Sequence, residues 1–170
     1  PRVPSAAPKF WHTIDELLTA RPDFLSVTYG AGGKDRSSAR EVVAELARNA
    51  PVHPIAHITC VGNSTVDVLD AVADALDSGT RTFLALRGDP PADDPDWEPE
   101  AGGVRSAIEL IHLIRTVEKR RCDYHPAEAL RAAFAPLTIA VAAFAAGNPA
   151  AGTSPLQEAE RLLLKQAAGA

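Results

Sequence analysis

Phe83-Leu84-Ala85-Leu86-Arg87-Gly88-Asp89 decides the fold of this chain. Four apolar residues, introduced by Thr80-Arg81-Thr82, run straight into an arginine, a glycine and an aspartate. An uninterrupted apolar run of this length predicts a strand buried on both faces. Charges at the end of such a strand need a reason, because buried ions are costly unless paired or bound. In barrels and open α/β sheets the carboxyl ends of the strands are where ligands bind. A solvated Arg87–Asp89 pair explains this stretch equally well when it is taken alone. The neighbouring segments shift the balance.

Outward from that strand, the same grammar repeats. Phe10, Trp11, Ile14, Leu17 and Leu18 fall at helical spacing from Pro8 to about Ala20, and Phe24 to Tyr29 then reads as a strand closed by Gly30-Ala31-Gly32-Gly33. Ser38-x-x-Glu41 has the form of a capping box for a helix carrying Val42, Val43, Leu46 and Ala47. Pro51 to Cys60 is the next strand. Ser64-x-x-Asp67 opens a helix with Val66, Leu69, Val72, Ala73 and Leu76 inward, and Gly79 stops it.

Beyond Asp89, the acidic, proline-rich segment 90–103 reads first as a solvated loop, with a lid over the strand end as the alternative. Val104 to about Lys119 is a helix buried through Ala107, Ile108, Ile111 and Ile114. Its end, Glu118-Lys119-Arg120-Arg121, is a solvated face. A short helix over His125–Phe134, a strand over Leu137–Phe144, an exit loop to Pro149 and a last helix from Ser154-Pro155 complete the order α-β-α-β-α-β-α-α-β-α. Alternation of this kind implies parallel strands with right-handed crossovers. Four such strands make a small open sheet or half of an eight-stranded barrel. Period alone leaves both open.

Composition bounds the function. The 170 residues suffice for one domain, here 1–170, with a substantial core. A net charge of −5 argues against a nucleic-acid surface or an anionic membrane patch. The longest apolar run, Leu137–Ala146, is about half a membrane span. Cys60 and Cys122 lack ligand-like spacing, so reduced thiols in the cytoplasm are the expectation, with no metal site. No dinucleotide fingerprint, Walker motif or nucleophile elbow is present.

If all strands exit on one side, Thr28, Tyr29 and the glycine-rich turn lie beside His57, Thr59 and Arg87-Gly88-Asp89, joined by Phe144 and Asn148. Singly each residue has a plain explanation: a satisfied core histidine, a strand hydroxyl, an exposed helix lysine at Lys165. Together they outline a mostly apolar cleft with one cation, one anion, an imidazole and a tyrosine. That suits a large, partly charged organic ligand better than a metal.

Five spaced motifs then resemble one family. They are Ser26-Val27-Thr28-Tyr29-Gly30-Ala31, Ala56-His57-Ile58-Thr59-Cys60, Ala85-Leu86-Arg87-Gly88-Asp89-Pro90-Pro91, Val141-Ala142-Ala143-Phe144, and Leu164-Lys165-Gln166-Ala167-Ala168-Gly169-Ala170. In this order, from about Phe10 to Ala170, they are similar to bacterial methylenetetrahydrofolate reductases. The resemblance implies a parallel (β/α)8 TIM barrel, about half of it in this chain, with FAD at the carboxyl ends of the strands. It implies hydride transfer from NADH or NADPH through FAD to 5,10-methylenetetrahydrofolate, giving 5-methyltetrahydrofolate for methionine synthesis, and a cytoplasmic homo-oligomer.

By the same resemblance, Asp89 is the catalytic carboxylate beside flavin and folate, favouring the cationic iminium form of the folate. Thr28 faces flavin, nicotinamide and substrate. Tyr29, His57, Arg87 and Gly88 contact flavin, as does Ala107. Phe144, Asn148, Ala151, Glu158, Arg161, Leu164 and Lys165 line the cofactor tail, with Lys165 suited to its phosphates. Phe144 stands where many members carry tyrosine, Asn148 where many carry histidine, Glu158 where aspartate is usual, and Ser106 replaces an aromatic. The family's proton-donating glutamate precedes the first residue and a substrate-binding glutamine follows the last. Two rival readings therefore stand beside the reductase: a non-catalytic partial barrel that binds flavin or folate or serves as a partner subunit, and a flavin-free reductase taking hydride directly from NADH.

Overall fold

A computed structural model describes residues 6–28, 36–89, 98 and 102–170, with the side chains of residues 36 and 37 excepted. The expected order of elements is present. Helix α1 (Ala7–Thr19) leads into β1 (Phe24–Val27), α2 (Arg36–Asn49), β2 (His53–Thr59), α3 (Thr65–Asp77) and β3 (Thr82–Leu86). Then come α4 (Ala107–Tyr124), α5 (Pro126–Phe134), β4 (Thr138–Val141), a 3-10 turn (Pro149–Ala151) and α6 (Pro155–Ala167).

The four strands form one sheet in the order β1-β2-β3-β4, every pair parallel. Sequential order with a helix between parallel neighbours is the arrangement of a β/α barrel wall. An open doubly wound sheet instead reverses its strand order at a switch point. The chain is an α/β protein with part of a barrel.

Register explains which face carries the core. Val27, Ala56, Phe83 and Ile139 line up in one row across all four strands. That row and Ile58 and Ala85 pack with Val43 of α2, Val68, Ala71, Val72 and Leu76 of α3, and Leu110, Ile111 and Ile114 of α4. Phe83 is fully buried, and its truncation to alanine would cost about 3–5 kcal/mol. A second cluster joins Phe10, Trp11, Ile14 and Leu18 of α1 to Val42 and Leu46 of α2 and to Val52.

The other face carries Ser26, Ile55, His57, Thr59, Leu84, Leu86 and Ala140, all half-buried or exposed. Strand β3 is therefore not buried on both faces, as its apolar run suggests; burial alternates, with Phe83 and Ala85 inside and Leu84 and Leu86 half-covered. In a closed barrel that second face is filled by strands lying opposite. Four strands with β1 and β4 at the edges leave it half open.

Three local expectations are corrected. The Ser64–Asp67 capping box is present, but the buried stripe of α3 is Val68, Ala71, Val72, Ala75 and Leu76, and Val66 is exposed. Asp67, Asp70, Asp74 and Asp77 are exposed along the opposite side of the helix. Helix α2 already begins at Arg36, so Ser38 lies inside it and is not its cap. Helix α4 starts after Ser106, whose side chain caps it by accepting from the Glu109 N–H, and runs on to Tyr124.

Glu118 is not on a solvated face. It receives Arg81 at 2.8 Å and Arg115 at 3.1 Å, with only 16% of its side chain exposed. Arg81 also donates to the Ala135 carbonyl, and Arg115 to the carbonyls of Leu137 and Gly169. Arg81 precedes β3 and Leu137 precedes β4. This network therefore ties the amino ends of two strands to the end of α6, on the side of the sheet opposite the strand exits.

Candidate functional site

The parallel register delivers four strand exits to one end: Thr28 after β1, Cys60 after β2, Arg87 after β3 and Ala142 after β4. Tyr29 and the Gly30–Gly33 turn, expected beside them, lie outside the described residues, as does most of the acidic loop 90–103.

The exits of β2 and β3 are stitched together. The N–H groups of Cys60 and Val61 donate to the Arg87 carbonyl at 3.1 and 2.9 Å, and Cys60 N–H also reaches the Leu86 carbonyl. Gly88 sits at φ +84°, and a Cβ there would come within 3.1 Å of Val61 Cβ. This position needs glycine on both counts. The Cys60 thiol is buried between the carbonyls of Leu86 and Ser106. Burial, and then the negative charge of Glu109, push it up to about 12, with Arg87 opposing. It stays a protonated spacer, not a nucleophile.

Arg87 and Asp89 stand exposed at this end. They do not pair with each other. Among the described residues Asp89 has no side-chain hydrogen-bond or ion-pair partner, and the one side-chain hydrogen bond of Arg87 is a long one from Nε to the adjacent Gly88 carbonyl.

His57 lies on the open face, two residues before the end of β2. Its Nε2 is 2.5 Å from Ser26 Oγ on β1. Burial lowers the imidazole pKa below the ordinary histidine range, so the ring is neutral at pH 7. A neutral ring serves as a hydrogen-bonding wall and not as a countercharge for phosphate.

The β4 side is built by α6 and the loop before it. Ser154 caps α6 in a box with Gln157. One face of that helix presents Glu158, Arg161 and Lys165. Lys165 Nζ reaches back 2.9 Å to the Ala142 carbonyl, at the exit of β4. Glu158 is buried, and its Oε1 accepts from Thr153 Oγ1 at 2.5 Å and from Arg161 at 2.8 Å. Thr153 in turn bridges Asn148 through paired backbone bonds, closing the loop that contains Ala151. Phe144 and Leu164 are exposed, at 46% and 58%. Ala107 opens α4 immediately after Ser106 and joins the β2 exit through the Cys60–Ser106 contact.

The structure thus gathers Thr28, Arg87, Gly88, Asp89, Ala107 and the Lys165–Ala142 contact around one end of the sheet. Glu158 and Arg161 engage each other and the loop. The sequence reading passed over Ser26, although strand alternation puts it on the face of His57, and Asn63, signalled by the Gly62-Asn63 turn before the Ser64 cap. An apolar cleft of about 610 Å³ also lies between α2, α3 and β2, crossed by the 3.1 Å Arg40–Asp74 pair; of the expected site residues only His57 lines it.

Among the described residues Arg87 and Lys165 have no carboxylate partner and Asp89 has no cation partner, and all three lie toward the strand exits with the neutral imidazole of His57. Such a donor set suits an extended organic anion with a polar head and phosphates. No group of three or more metal-ligating side chains occurs among the described residues, and no helix there is long and apolar enough to cross a membrane.

The fold defines the class: a β/α-barrel protein, here with four parallel strands whose carboxyl ends come to one side. A family model described as methylenetetrahydrofolate reductase matches residues 1–170, and the chain belongs to that family. Methylenetetrahydrofolate reductase 1 of Schizosaccharomyces pombe is 35% identical over 117 residues, 68% of this chain and 19% of that protein. The 5,10-methylenetetrahydrofolate reductase of Escherichia coli strain K12 is 31% identical over 118 residues, 69% of this chain and 38% of its own. A probable methylenetetrahydrofolate reductase (NADH) of Oryza sativa subsp. japonica is 28% identical over 115 residues, 68% of this chain and 19% of that protein. The matched region spans well under half the length of each of these relatives.

Proposed function

We propose that this chain forms part of the catalytic site of a reductase that converts 5,10-methylenetetrahydrofolate to 5-methyltetrahydrofolate with FAD and NADH or NADPH. The observation that carries the reading is the β3 exit, where Asp89, without a partner among the described residues, stands beside Arg87 on a loop that Gly88 fastens to the β2 turn. When bound, the flavin relays hydride between the nicotinamide and the folate.

The chain's own residues supply position and charge. Asp89 is a fixed negative charge at the mouth of the half-open face, and such a charge stabilises the cationic iminium form of the folate on its way to accepting hydride. Thr28, across the cleft on the β1 exit, offers a hydroxyl to the flavin head or to either substrate, and Tyr29 follows it in the chain. His57, neutral and held by Ser26, together with Leu84 and Leu86 gives an apolar floor for a planar ring system. Arg87 and Lys165 answer the negative charge of the cofactor, Gly88 and Ala107 let backbone approach it closely, and Phe144 offers stacking area. Asn148, Ala151, Arg161 and Leu164 border the tail, with Glu158 holding their loop from beneath. A negative overall charge and two free cysteines agree with a cytoplasmic protein, and we place it there as a homo-oligomer.

The test uses the product of the complete reading frame that carries these residues. Incubated with FAD, it should turn yellow, bleach with NADH or NADPH and recover colour when methylenetetrahydrofolate is added. Protein that never takes up flavin but still oxidises NADH with the folate would establish direct transfer instead. Uptake of flavin with no bleaching would leave only the binding role.

A further inference from the structure

We propose that Asn63 is a positioning residue: it holds the turn after β2 in the shape on which Gly88 rests, and so sets where Asp89 stands. The catalytic consequence rests on the role proposed above for Asp89; the structural one does not.

The turn is short and heavily used. Gly62, at φ +71°, lets the chain reverse after Val61. Asn63 N–H closes the reversal on the Cys60 carbonyl at 3.1 Å, and its side-chain Nδ2 reaches back to the Thr59 carbonyl at 2.8 Å and to Thr59 Oγ1 at 3.3 Å. Thus the main chain and side chain of one residue fix both ends of the turn. The surface so formed is what the β3 exit touches. Cys60 and Val61 donate to the Arg87 carbonyl, and the side chains of Val61 and Thr59 are the nearest atoms to the missing Cβ of Gly88. The same turn reaches α4 through Cys60 and Ser106, and Thr65 just beyond it bonds the Gly102 carbonyl at 2.6 Å.

Asn63 is an odd residue to keep here for stability alone. It is only 8% exposed, and its Oδ1 is buried without a partner among the described residues. An unmade hydrogen bond of that kind is a standing cost, which an apolar residue of equal bulk would remove. What such a residue would lose is the amide donor on Thr59. The side chain is therefore explained by the geometry it imposes on the turn, one residue pair away from Gly88 and two from Asp89.

The test compares Asn63→Leu, which keeps the branched side-chain skeleton and removes both donor and orphan oxygen, with Asn63→Ala, each alone and with Asp89→Asn, in the complete flavin-loaded protein. Amide exchange at Cys60 and Val61 should quicken about tenfold while Phe83 and Ala85 hold their protection. The Leu variant should melt within about 3 °C of the parent. Reoxidation of the flavin by methylenetetrahydrofolate should slow about tenfold with reduction by NADH nearly unchanged, and Asn63→Leu should add little once Asp89→Asn is in place. Unchanged exchange at Cys60 and Val61, or kinetic effects that multiply in the double variant, would overturn the proposal. If Asp89→Asn alone leaves the folate step intact, the reading of Asp89 has failed, and the exchange experiment still decides whether Asn63 holds the turn. The Ala variant gives the same comparison should the Leu variant not fold.

Discussion

Ser26 Oγ and His57 Nε2 meet at 2.5 Å across β1 and β2, on the sheet face that the helices do not cover. Ser26 is in register with Ile55, so His57 is its diagonal neighbour one step toward the strand exits. This side-chain hydrogen bond adds to the backbone ladder between the first two strands and orients the ring of His57.

The first prediction concerns pH. Burial holds the His57 pKa below its unfolded value, so the unfolded chain binds a proton there before the folded one does. Stability contributed by the neutral ring is therefore lost as pH falls below about 6.5, and it returns as pH rises through that window. Urea unfolding at pH 5 and pH 7.5 should show the parent less stable at the lower value and His57→Gln less sensitive. An identical slope in the variant would assign the effect to other groups.

Gly88→Ala combines a left-handed backbone with a Cβ placed 3.1 Å from Val61 Cβ. It should destabilise the fold by about 1–3 kcal/mol and weaken flavin binding, because the β3 exit must move off the turn. Calorimetry and a flavin titration measure the two effects. A variant with parent-like stability and affinity would show that the contact gives way at no cost.

Glu118→Gln acts at the opposite end of the strands. Arg81, 13% exposed, would keep its charge and lose its carboxylate, at a cost of about 3 kcal/mol. The melting temperature should fall while flavin affinity in the folded protein stays the same. A parallel loss of affinity would contradict the separation of a supporting end from a binding end.

Lys165→Met removes the ammonium that bonds Ala142 at the β4 exit. Flavin affinity should drop about 10- to 100-fold, the range expected for one charge-assisted contact. Lys165→Arg should retain most of it. Fluorescence quenching titrations distinguish the two, and equal losses would remove the charge from the explanation.

Much of this architecture was legible in the residues. Phe83–Leu86 between two helical patterns announced a parallel strand, and Ser64–Asp67 and Ser154-Pro155 marked helix starts that the structure keeps. The face of α3 was legible only through its charges: Asp67, Asp70, Asp74 and Asp77 fall along one side of a helix and place Val66 beside them and Val68 opposite, a signal that the apolar residues alone do not carry. Half-burial of Leu84 and Leu86 depends on what lies across the sheet, which local pattern does not encode. Arg81 is far in sequence from Arg115 and Glu118, which are one helical turn apart, and the three become a network only when the amino ends of β3 and β4 align. For the site, Arg87-Gly88-Asp89 was readable as a motif. The support of Gly88 by Val61 and Asn63 was not, since it arises from two strand exits meeting in space.

The central claim is that the exposed Asp89 carboxylate at the β3 exit serves the folate half of the reaction. Stopped-flow measurement of both half-reactions in Asp89→Asn tests it most directly. The account predicts that flavin reduction by NADH stays within a few-fold of the parent while reoxidation by methylenetetrahydrofolate slows by about 100-fold or more. Equal slowing of the two steps, or none in the second, would contradict it.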